Sequence, residues 1–100
     1  MDRTLKKIIN NKNKMVRNYG HTNAKKIIQR YNELTNIPNL ELMIKFKVGR
    51  CHNLTGNLKG KFALDLEHPL RMIIEPIPHN YKELKDIIAV KIVSLEDYHD

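Results

Sequence analysis

Residues 62–76 read FALDLEHPLRMIIEP. Phe62, Leu64 and Leu66 alternate with Ala63, Asp65 and Glu67. A period of two is the period of a strand, because successive side chains leave its backbone on opposite faces. His68-Pro69 supplies a turn, and Leu70–Pro76 is the next strand. Strands joined so closely pair antiparallel. Working outward, RCHNLT (50–55) is a short strand candidate and GNLKGK (56–61) a turn with two glycines. IPHNYKELKD (77–86) reads as a loop with one helical turn. IIAVKIVSL (87–95) is the last strand, and its nearly continuous apolar run predicts a central position in the sheet.

Upstream of Val48 the period changes. Leu5, Ile8, Ile9, Met15 and Val16 recur at helical spacing, which predicts an amphipathic helix over Arg3–Asn18. Gly20 is a stop signal and Thr22 an N-cap for a second helix. Ala24, Ile27, Ile28, Tyr31 and Leu34 form its apolar stripe, which ends near Asn36 before Pro38. NLELMIKF (39–46) reads as a short helix or turn. The expected fold class is therefore α+β: an N-terminal antiparallel helical hairpin packed on a small, mainly antiparallel sheet. All of residues 1–100 fall in one domain, with no repeat or linker.

Charge is unevenly placed. Residues 1–62 carry 14 Lys/Arg and 3 Asp/Glu, whereas residues 63–100 carry 4 and 8. A basic segment of this kind favours a polyanion such as nucleic acid, although lysines that only solvate helix faces give the same count. No apolar run approaches the ~20 residues of a membrane span, and no signal peptide is evident. The single cysteine, Cys51, makes no internal disulfide, and a reducing cytoplasm fits it.

Chemistry-bearing residues are few. His52, His68, His79 and His99 lack the spacing of a helical zinc pair and no CxxC exists, so no metal site is expected. Cys51 and His52, adjacent on a strand, point to opposite faces and do not make a nucleophile pair. What remains is His52, Arg71, Asp97, Tyr98 and His99, with Lys59 and Lys61 near a turn. Each has a plain structural explanation: a surface histidine, an arginine paired to Asp65 or Glu67 across the hairpin, a solvated tail.

GRCHNLTGNLKGKFALDLEHPLRMIIEP (49–76), followed by IVSLEDYHD (92–100), resembles the HigB branch of the RelE/ParE toxin superfamily, within its killer-protein group. The pattern is R-x-H-x-L-x-G-N-x-K-G, then D-L-x-H-P-x-R, then a terminal D-Y-H, and it covers the second half of the chain. The resemblance implies a RelE/ParE-like fold and the toxin of a type II toxin–antitoxin system. It implies a ribosome-dependent mRNA endonuclease that works in the ribosomal A site without cofactor or metal, neutralised by a helix-turn-helix antitoxin. The family's catalytic residues fall on His52, Arg71, Asp97, Tyr98 and His99.

The physical logic agrees with that implication. RNA carries its own nucleophile, the 2′-OH. Histidines, with an unperturbed pKa near ~6.5, suit proton transfer at neutral pH. Asp97 or His99 is expected as base, His52 as the other proton carrier, Arg71 on the phosphate and Tyr98 stacking on a base or positioning the phosphate. Lys45, Lys47, Arg50, Lys59 and Lys61 are placed to approach rRNA and mRNA phosphates. The chain departs from relatives in three ways. Its helical pattern starts almost at Met1 where many begin with a strand, Thr55 replaces a lysine, and Leu70 an aromatic residue. The competing readings are a ParE-like gyrase inhibitor and a catalytically silent basic module that binds RNA or DNA.

Overall fold

The computed structural model describes residues 2–4 and 12–97. Its sheet is built from β1 (Asp2–Thr4), β2 (His52–Asn53), β3 (Phe62–Asp65), β4 (Leu70–Pro76) and β5 (Ala89–Asp97). The spatial order is β1-β5-β4-β3-β2. The last four strands pair antiparallel, while β1 runs parallel to β5, Asp2 facing Ala89 and Thr4 facing Lys91. Helices α1 (Lys12–Asn36) and α2 (Leu40–Lys45) complete an α+β plan.

The 62–76 hairpin forms as its alternation predicts. Phe62 faces Ile74 and Asp65 faces Arg71. The turn closes when Leu66 N–H donates to the Leu70 carbonyl at 3.1 Å and Leu70 N–H to the Glu67 carbonyl at 2.9 Å. Alternation does not translate into an exposed second face, however. Ala63 and Ile73 lie opposite each other and both are fully buried, though outside the main core.

The helical region differs from expectation at its start. Asp2–Thr4 is a strand, so a helix over Arg3–Asn18 is not formed. Leu5, Ile8 and Ile9 lie outside the described residues. The span α1 consists of two helical stretches that meet at a kink at Gly20 (φ 84°, ψ 167°), with no longer link between them. Only glycine adopts such a conformation at no steric cost. The stop signal is thus real, but the chain resumes helix at once. Beyond it Ala24, Ile27, Arg30 and Leu34 face inward, while Ile28 and Tyr31 are only partly buried. Asn39 caps α2 by accepting from Leu42 N–H at 3.0 Å, and α2 buries Leu40 and Met43.

The core lies between these helices and one face of the sheet. Leu64, Met72, Ile74, Val90 and Ile92 meet Ile27, Leu34, Leu40 and Met43. Full burial of each such side chain stabilises by about 1.5–3 kcal/mol. The last strand is an inner strand, between β1 and β4, as its apolar run predicts: Val90 and Ile92 are buried, although Lys91 is exposed. β1 covers β5 only over Ala89–Lys91. Val93 is an extra residue, since Ile73 faces Ser94 but Ile74 faces Ile92. Such a bulge twists a strand locally and re-aims the residues beyond it.

Candidate active site

A pocket of about 90 Å³ opens at the end of the sheet where the β3–β4 turn meets the segment before β2. Its walls carry Arg50, His52, Asp65, His68 and Arg71, with Leu66, Pro69 and Leu70 supplying the apolar part. At ~30 Å³ per water, the space matches a small oxyanion rather than a nucleoside.

Each wall has a local cause. The chain turns sharply before β2 because Lys47, Gly49 and Arg50 all have positive φ, at 54°, 60° and 50°. That turn carries the Arg50 side chain to Asp65, where its Nε donates to Oδ2. His52 comes next, on an exposed two-residue strand. Its Nδ1 lies 2.8 Å from the Arg50 carbonyl oxygen. A carbonyl only accepts, so Nδ1 carries a proton, and in the neutral ring the lone pair falls on Nε2. An imidazole held this way is oriented as a base.

Asp65 is the hub of the arrangement. Its side chain accepts from Arg50, its register partner is Arg71, and its backbone carbonyl accepts from Arg30 Nε at 2.7 Å. Arg30 is 8% exposed and also binds Glu33 at 2.7 Å. It lies directly beneath Gly49, where an added Cβ would come within 2.8 Å of Arg30 Nε. The helix thereby fixes both the β3 end and the turn that delivers Arg50 and His52. Arg71 is half-buried, with its Nε fully so.

The expected catalytic set is placed unevenly. His52 and Arg71 share the pocket. Asp97 is exposed at the end of β5, in register with Leu70, so that Glu96 rather than Asp97 faces Arg71. Tyr98 and His99 lie outside the described residues. Of the expected RNA-facing cations, Arg50 is a pocket wall engaged with Asp65. Lys45, Lys47 and Lys59 are exposed and Lys61 is half-buried. Lys45 Nζ sits 5.8 Å from the ring centre of Phe46, which is 65% exposed. Burial raises the Cys51 thiol to about 12, which leaves no thiolate nucleophile.

Sequence reasoning gave no role to His68 or Arg30. His68 stood inside the quoted D-L-x-H-P-x-R block without a function. The signal for Arg30 was its place on the apolar stripe, three residues after Ile27 and four before Leu34. Among the described residues no group of three or more His, Cys, Asp or Glu is arranged to hold a metal ion, and no helix is long and apolar enough to cross a membrane. Comparisons with protein-family models, curated proteins and solved structures found no match.

Proposed function

We propose that this protein is the toxin of a type II toxin–antitoxin pair, an mRNA endonuclease that cleaves on the ribosome and is silenced by a cognate antitoxin. The observation that carries the reading is a histidine of fixed tautomer sharing one phosphate-sized pocket with two arginines and a second histidine.

In this reading the scissile phosphate occupies the pocket. His52 Nε2 takes the proton of the neighbouring 2′-OH, and that oxygen attacks phosphorus. The bond from phosphorus to the 5′ oxygen breaks, and a second carrier protonates the departing oxygen. The products are a 2′,3′-cyclic phosphate and a 5′-hydroxyl. Arg71 and Arg50 stabilise the charge that gathers on the non-bridging oxygens. The second carrier is His68, in the same pocket, or a residue of the Asp97–His99 end.

The test is addition of the protein to a translating bacterial extract, with mRNA ends mapped by primer extension. Expected are new ends in codon register that vanish without ribosomes and with His52→Ala. Comparing His68→Ala with His99→Ala identifies the second carrier. A folded wild-type protein that yields no new ends would leave gyrase inhibition or silent nucleic-acid binding as the better account.

A further inference from the structure

His52 stands between two cavities. Beyond the phosphate-sized pocket, a second cavity of about 540 Å³ shares His52 and continues past β2 to the loop before β5. Its volume falls in the ~300–1,000 Å³ range of small-molecule sites. The floor is apolar, from Ile44 and Leu84, over buried Cys51 and Phe62. Half-buried Tyr81 forms an aromatic wall, and exposed Asn53 and Lys82 form a polar rim. Glu83, also at the rim, is engaged by Lys85 at 3.3 Å.

We propose that this cavity is a nucleobase subsite, which holds the base attached to the phosphate in the neighbouring pocket, with Tyr81 as its stacking surface. The inference rests on the endonuclease reading for the identity of that neighbour. Three features of the cavity favour a base over other occupants. A planar heterocycle has a face that stacks on an aromatic ring and an edge that hydrogen-bonds, and the cavity offers both partners. The Asn53 amide both donates and accepts, which suits base edges of any pattern. The cavity also adjoins the smaller pocket at His52, which lines both, and that pocket carries Arg50, His68 and Arg71 beside Asp65, as a site for a phosphate next to its own base requires. Tyr81 belongs to a loop that packs on the core only in part, so its ring is both placed and accessible.

The test needs no ribosome. Wild-type protein is titrated with the four nucleoside 5′-monophosphates, with ribose 5-phosphate and with inorganic phosphate, and binding is followed by amide NMR shifts. Nucleotides should bind more tightly than ribose 5-phosphate by about 5- to 150-fold, the range that one stacked base contributes. Tyr81→Leu should abolish that advantage and leave ribose 5-phosphate binding unchanged, which also shows that the variant is folded. Tyr81→Phe should keep the advantage, and Asn53→Ala should alter the ranking among the four bases. Equal affinity for nucleotide and ribose phosphate, or an advantage untouched by Tyr81→Leu, overturns the proposal and assigns the cavity to an apolar side chain of a protein partner. Base-dependent binding without ribosome-dependent cleavage would sink the endonuclease reading while leaving a nucleotide site.

Discussion

The contact of His52 Nδ1 with the Arg50 carbonyl depends on Arg50 itself sitting at φ 50°, a left-handed conformation. The cost of that geometry is local, about 1–2 kcal/mol for a non-glycine residue, and the adjacent glycine limits it. Gly49 and Gly56 make a controlled comparison, since both have positive φ, at 60° and 64°. An added Cβ at Gly56 meets nothing within 4 Å, whereas at Gly49 it meets Arg30. Gly56→Ala should therefore show only the backbone term, about 1–2 kcal/mol by urea unfolding. Gly49→Ala should cost distinctly more and, on the proposed function, lower mRNA cleavage as well. Equal losses would show that the Arg30 contact carries no weight. Cys51 gives a pH signature. The unfolded thiol ionises near its ordinary 9.0, while the folded one holds its proton to about 12. Between those values the unfolded state binds fewer protons, so stability is complete below about 9 and falls as pH rises toward 12. Cys51→Ala should flatten that fall relative to wild type in unfolding midpoints measured at successive pH values.

Among the elements, the hairpin was the most legible, because alternation marked its first strand and the His68-Pro69 turn set off the apolar second, and β4 runs over the expected Leu70–Pro76. Less legible was the start of the chain. Three residues of β1 are too few to show a period, and apolar spacing farther on outweighed them. The inner position of β5 was legible from its apolar run, but not that β1 would cover it only over Ala89–Lys91 or that Lys91 would be exposed. For the site, His52 and Arg71 could be named from pattern, but their union depends on Arg30, which acts from a helix 35 residues before Asp65. Local pattern carries no information about such a reach. Arg30 joins α1 to the end of β3 with a charged donor, and a hydrogen bond of that kind contributes about 1.5–3 kcal/mol. Arg30→Ala should destabilise by about that amount in urea. Arg30→Lys should not restore activity, since a lysine has one ammonium and cannot bind the Asp65 carbonyl and Glu33 in the same fork. Full activity in Arg30→Lys would reduce Arg30 to a source of charge.

At the scale of the whole molecule the charge division becomes testable. Lys45, Lys47 and Lys59 are exposed on the segments that flank β2 in the chain. The acidic excess instead lies after residue 62, and there Lys85 is already paired with Glu83. If the basic segment binds RNA phosphates, each contact releases counterions and adds about 0.7 to the slope of log affinity against log salt for a single strand. Binding of a short single-stranded RNA, followed by fluorescence anisotropy from about 50 to 200 mM salt, measures that slope. Lys59→Ala should weaken binding evenly across RNA sequences and reduce the slope by about 0.7 to 1. Lys85→Ala should leave the slope unchanged, because its ammonium faces a carboxylate of its own chain. His52→Ala should reduce the slope less than Lys59→Ala while abolishing the proposed cleavage, since the role proposed for His52 is proton transfer and not phosphate binding. A slope that responds to Lys85 as much as to Lys59 would mean that net charge, and not the surface around β2, attracts the polyanion. The salt slope therefore separates phosphate binding from proton transfer, the two roles that the proposed function assigns to residues of the 45–71 stretch.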